Sequence, residues 1–266
     1  MSSEQSKLGE ARIAAALAAQ QGRTQPLPKR FFTAATIDRR DAGYAILLDG
    51  RLARTPARKE LILPAEAAAT LVAAEWNRVA DIIDPAEMPL TRMVNSAIDG
   101  VADQSAAVFE EVMNYVASDL LIYRAADPER LVEAQSAAWD PVLDLFRDEH
   151  GARFILADGV VHAAQPPATL SLMRQALAEY VGQDAASALR LTGLNVMTTL
   201  TGSALLALAV VQGRIKAVEA WAAAHVDESF QESQWGEDAD ALVRRQNRWR
   251  DMQAAATLVQ SLPAAV

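Results

Sequence analysis

Cysteine is absent from the 266 residues, so disulfides, thiolate nucleophiles and cysteine-held zinc are excluded. Histidine is nearly as scarce. His150, His162 and His225 stand apart, and none falls in an HExxH pattern, so each reads as a surface or satisfied core residue, not as a ligand. Gly193 and Gly202 do not make a phosphate cradle, and no GxSxG elbow occurs. The opening residues Met1 to Ser6 lack a basic segment followed by an apolar one, and Glu4 and Glu10 are foreign to an acid-poor transit peptide. The expectation is a cytoplasmic protein.

Basic charge is also in deficit. Against 34 acidic residues stand 25 basic ones, a net charge of −9. Such a surface repels nucleic acid and anionic membranes, and it suits a partner with basic patches. Residues 191–212 carry no charge and approach the length of a membrane span. Thr192, Asn195, Thr198, Thr199, Thr201 and Ser203 interrupt that run, so it is expected to be a helix buried in a protein core, without membrane insertion.

What is present is ordinary for a globular chain: 51% hydrophobic and 22% charged residues, at a length that buries a sizeable core. Leu8, Ile13 and Leu17 give residues 1–25 a helical pattern, and Pro26-Leu27-Pro28 is a stiff linker. Strand-like runs follow at Phe31–Ile37, Tyr44–Leu48, Arg51–Thr55 and Glu60–Leu63, with turns at Asp41-Ala42-Gly43 and Asp49-Gly50. From Ala65 helical patterns dominate, over about 65–80, 103–117, 128–149, 167–181, 185–211, 214–234 and 238–258. Strands first and helices afterwards imply an α+β fold. Its expected parts are a small antiparallel β-rich N-terminal domain with its leading helix, residues 1–64, and a larger multihelical domain, residues 65–266.

The segment from Asp227 to Gly236 sets acidic, amide and aromatic groups on a helical surface and then breaks the helix. It holds no nucleophile and no metal cage, so it reads as a recognition surface. Glu228 and Glu232 lie one turn apart on a shared face, and Trp235 beside Gly236 has the character of an exposed anchor. A solvated, slightly self-repelling face would carry the same carboxylates. The rival reading is a metal-dependent hydrolase or lyase, if folding gathers Asp49, Asp99, Asp119, Asp140, Glu228 and Glu232. Ser118-Asp119 reads as the end of one helix and the cap of another turn, and Arg124 as a pairing partner for a carboxylate. Trp139-Asp140-Pro141 either opens a helix or kinks a longer one. Most of the five tryptophans are expected in the core.

One ordered set of short motifs resembles the ATP12 family, assembly chaperones for the F1 sector of ATP synthase. It runs through Arg30-Phe31-Phe32, Leu48-Asp49-Gly50-Arg51 with Thr55-Pro56, Glu75-Trp76, and Met88-Pro89-Leu90-Thr91. It continues with Asn95-Ser96-Ala97-Ile98-Asp99, Ser118-Asp119-Leu120-Leu121 with Tyr123-Arg124, Gln135, Trp139-Asp140-Pro141, and Gln231 with Trp235-Gly236. The resemblance implies a non-enzymatic protein without cofactor, whose partner is the unassembled F1 α subunit. It would cover the α surface destined for the β subunit, and would be monomeric when free. It places an essential acidic residue at Glu228, and with it Gln231, Glu232 and Trp235 form the expected partner-binding set. Ser229 departs from the more acidic run of eukaryotic relatives. Alanine enrichment and the absence of a transit peptide suggest a bacterial member, of alphaproteobacterial type.

Overall fold

The computed structural model describes residues 27–159, 161–236 and 239–265. The helical pattern expected over residues 1–25 lies outside the described residues. A four-stranded antiparallel sheet comes first: β1 (Ala35–Arg40), β2 (Gly43–Leu48), β3 (Arg51–Leu52) and β4 (Ile62–Leu63). β1 pairs with β2 from Ala35↔Leu48 to Arg40↔Gly43. β3 and β4 pair with opposite ends of β2's other edge. The Leu48↔Arg51 pairing leaves Asp49 and Gly50 as a two-residue turn with φ of 47° and 78°. Both residues tolerate positive φ, so the turn matches strand twist. The Asp49 carboxylate also accepts hydrogen bonds from the Thr33 and Ala34 amides at 2.9 Å, and those two donors hold its pKa below the usual range.

The first expected strand begins four residues later than the sequence suggested. Residues 28–30 are drawn off to another partner, with Arg30 N bonded to Asp81 O and Ile83 N to Pro28 O, both at 2.8 Å. Phe32 turns inward onto Trp76 (centroids 5.6 Å apart), while Phe31 is left 70% exposed.

Ten α-helices follow among the described residues: α1 (Glu66–Arg78), α2 (Pro89–Asp99), α3 (Ser105–Ala117), α4 (Glu129–His150), α5 (Pro167–Val181), α6 (Ser187–Thr201), α7 (Ala204–Val211), α8 (Ala217–Ala224), α9 (Val226–Trp235) and α10 (Ala239–Gln260). A second, parallel pair of short strands joins β5 (Tyr123–Arg124) to β6 (Ala157–Asp158). This is the α+β arrangement anticipated from the sequence. Ala68, Ala69, Val72 and Ala73 of α1 are buried against Ile46 and Leu63 of the sheet, where small side chains let helix and sheet approach closely. The same buried cluster continues through Val94 and Leu194 to Leu206 and Met252.

The uncharged run resolves into two helices, not one. Gly202 (φ 70°) ends α6, and Ser203 starts α7 by accepting from Leu206 N at 3.0 Å. Seven of the eight α7 residues are buried, as expected of a helix apolar on every side. No helix among the described residues is long and apolar enough to cross a membrane. The expected helix over 214–234 also divides, at His225, into α8 and α9. Pro141 lies inside α4 and does not begin it.

Helices α6 and α10 meet at Gly193, where an added Cβ would lie 2.3 Å from Val259 Cγ1. Gly193→Val should therefore lower unfolding free energy by about 3 kcal/mol through overpacking. A urea midpoint within error of wild type would show that the two helices separate freely.

Candidate functional site

The site is assembled around α4, which carries two of the buried motif residues. The Trp139 indole donates to Ala223 O at 2.7 Å and so fastens α4 to the end of α8. Gln135, buried, works in both directions: its Oε1 accepts from Ala125 N at 2.8 Å, and its Nε2 donates to Asp227 Oδ1 at 2.7 Å. Arg124 lies 5.1 Å from the Trp139 ring and donates to Asp140 Oδ1 (2.8 Å) and Leu121 O (3.0 Å). Its carboxylate partner is thus internal.

These contacts support α9, a helix with no buried residue of its own. Two further contacts hold it. Arg245 of α10 donates through Nη1 to both Glu232 oxygens (3.0 and 2.8 Å) and through Nη2 to Ser229 Oγ at 3.1 Å. Apart from these bonds its hold on the body is slight, with half-buried Val226 packing on the core while Glu228, Ser229, Gln231 and Ser233 to Trp235 stay exposed.

Beside the start of α9 lies a groove of about 270 Å³. Leu120, Trp139, Thr199 to Gly202 and Ala224 line its walls and floor, and His225, Asp227, Glu228 and Arg248 supply its polar groups. Arg248 donates to Leu200 O at 2.7 Å. His225 bonds to Trp221 O at 2.7 Å and tilts over the Trp221 ring with centroids 4.0 Å apart. Burial holds its pKa below the usual value, against the opposing pull of Trp221 O and Glu228. Under the groove, Asp119 is fully buried and accepts from Leu121 N (3.1 Å) and Leu205 N (3.0 Å). Burial pushes its pKa up to about 6 despite those donors.

The four expected partner-binding residues do not converge on one point. Glu228 is exposed and lines the groove, and Gln231 is exposed further along α9. Glu232 is taken up by Arg245, and Trp235 stands 81% exposed at the helix tip before Gly236. Arg245 and Arg248 were not singled out from sequence, whereas His225 was read as a surface or satisfied core residue and is buried against Trp221 O. Asp227 opened the recognition segment and is an acidic residue in a helical first turn, but its bond to Gln135 had no signal.

The carboxylates required by the hydrolase reading are dispersed. Asp99 accepts from Thr55 Oγ1 (2.5 Å) and Ala57 N (3.0 Å), and Asp140 pairs with Arg124. Glu232 pairs with Arg245, and Asp119 is sealed in the core. No group of three or more His, Cys, Asp or Glu suited to a metal ion occurs among the described residues. What the fold presents is a supported recognition helix beside a mixed groove.

Residues 29–147 match the family model described as ATP12 chaperone protein. The crystal structure of Atp12 from Paracoccus denitrificans is similar at a TM-score of 0.80 and 40% identity, covering 88% of this chain and 97% of that one. A candidate chaperone from Agrobacterium tumefaciens is similar at a TM-score of 0.85 and 46% identity, covering 93% of this chain and 91% of that one. The mitochondrial protein atp12 of Schizosaccharomyces pombe is 22% identical over 229 residues, 82% of this chain and 77% of the yeast protein. The family model stops short of α9, whereas the bacterial structural matches span nearly the whole chain. These comparisons define the class as assembly chaperones, not enzymes. The chain belongs to the ATP12 family, whose members serve F1-ATPase assembly.

Proposed function

We propose that this protein binds the unassembled α subunit of F1-ATPase and masks the surface that later meets β. The observation that carries the reading is α9, which buries none of its residues yet is held from α4 and α10 while Glu228, Gln231 and Trp235 face solvent. An orphan subunit exposes apolar interface area that associates with itself as concentration rises. Reversible cover by an aromatic anchor, with the exposed Glu228 carboxylate meeting a basic client residue, suppresses that association without any covalent step. All the groove residues come from the helical region, which we take as the client-binding unit, working as a cytoplasmic monomer. Glu232 acts in this scheme as a strut for α9 through Arg245, leaving client contact to the other three.

Mixing the purified chain with isolated α subunit should give a complex on size-exclusion chromatography and less light scattering from α. Glu228→Lys should weaken that complex roughly tenfold or more, because a like charge would replace an attractive one, with little change in Tm at an exposed position. Scattering unaffected by a molar excess of the wild-type chain would refute the proposal.

A further inference from the structure

Three of the exposed large apolar side chains share one loop after α4: Ile155 (51%), Leu156 (47%) and Val161 (72%). Its part up to Gly159 is fixed in place. Gln165, buried, grips the Ile155 backbone on both sides, accepting from its N–H and donating to its carbonyl, each at 2.9 Å. Thr169, also buried, donates to Arg153 O at 2.7 Å. A side-chain amide paired in this way stands in for a neighbouring strand and pins the backbone. Two buried polar groups are therefore committed to holding a loop whose apolar side chains stay in water, which is how a pre-organised binding surface is built.

The loop is joined to α9 by a short chain of bonds. β6 pairs with β5 at Tyr123↔Ala157 and Arg124↔Asp158, and Gly159 N donates to Arg124 O at 2.8 Å. The next residue, Ala125, donates to Gln135, which in turn holds Asp227 on α9. Exposed charge along this path is mainly acidic, with Asp127, Glu129, Asp158 and Glu228 against Arg130 and Arg153. Arg124, lying between, is buried and spent on Asp140 and Leu121 O.

We propose that the Ile155–Leu156–Val161 loop is a second docking patch for the client that α9 engages, taking an apolar client face bordered by basic residues. The proposal rests on the client-binding reading above. Continuity with α9 and the acidic path between the two surfaces select this occupant over a second copy of the chain, which would bring acidic charge to acidic charge.

Isolated α subunit is titrated with the full chain, with Ile155→Ser/Val161→Ser, and with Phe31→Ser, which removes an exposed aromatic on the sheet side. The double variant should bind at least about tenfold more weakly, while Phe31→Ser binds as wild type does. Where the pair of substitutions lowers Tm, Val161→Asp alone, at the most exposed of the three positions, gives the same reading. Unchanged binding by the loop variants overturns the patch and leaves the α9 surface standing. An equal loss from Phe31→Ser overturns it too, since the contact would then be non-specific. A wild-type chain that binds no α overturns both readings together.

Discussion

Arg190→Ala should lower unfolding free energy by about 3–5 kcal/mol, the range for removing one partner from a buried charge network. Arg190 is 2% exposed and spends its guanidinium on four acceptors. Nη1 donates to Val181 O at 2.8 Å, Nη2 to Asp184 Oδ2 at 2.8 Å and Ala264 O at 3.2 Å, and Nε and Nη2 share Pro263 O at 3.2 and 3.0 Å. One side chain thus joins the end of α5, the start of α6 and the C-terminal segment. Gly182 lets that segment approach, since a Cβ there would fall 2.8 Å from the Ala265 Cβ. Truncation leaves carbonyls without a donor in a place that water reaches poorly. Lysine keeps the charge but offers a single ammonium where a planar fork spans several acceptors, so Arg190→Lys should recover only part of the loss. Urea unfolding followed by circular dichroism measures both variants. A loss under about 1 kcal/mol for alanine would mean that the segment contributes almost nothing to the fold.

How far the sequence revealed this structure depends on how local the deciding interaction is. The Asp49-Gly50 turn was legible because positive φ at two adjacent positions is a property of those residues themselves. The exposure of Trp235 was legible because Gly236 ends its helix within one residue. The division at Gly202-Ser203 had a local signal, a left-handed stop followed by an N-cap, but an unbroken apolar pattern concealed it. The division at His225 has no glycine or proline to announce it. There the Trp221 ring and carbonyl hold the imidazole, so tertiary packing decides where α8 stops.

The motif carboxylates were the hardest to read. Glu75 accepts from Leu90 N, 15 residues away, Asp99 from Ala57 N, 42 away, and Asp119 from Leu205 N, 86 away. An acid committed to distant backbone amides looks the same in a sequence as an acid awaiting a metal. Only the fold separates the two, and here it makes all three caps or loop anchors, of which the Asp119 cap on Leu121 N was legible in the sequence. The ion pair of Glu232 was hidden for a related reason, because Arg245 lies on the next helix.

Acidification from pH 7 to pH 5 should stabilise the wild-type protein relative to Asp119→Asn by about 1.4 kcal/mol. The folded-state pKa of Asp119 stands near 6 against an ordinary value of 3.8, with burial as the leading cause. Between those two values the native state binds more protons than the unfolded chain, so stability gained through this carboxyl grows as pH falls. It is lost again as pH rises through 6. Glu75, also raised by burial, acts in the same direction, whereas His225, lowered by burial, loses stability on acidification below its ordinary 6.5. A raw pH profile mixes these contributions. The difference between wild type and Asp119→Asn isolates one of them, because asparagine does not titrate. Asparagine should also be the less stable at both pH values, since its NH₂ must face amides that now donate to an oxygen. Urea titrations of both proteins at pH 7 and pH 5 give the comparison. A gap that stays constant or narrows on acidification would show that the carboxyl under the groove is solvated and charged across the whole range.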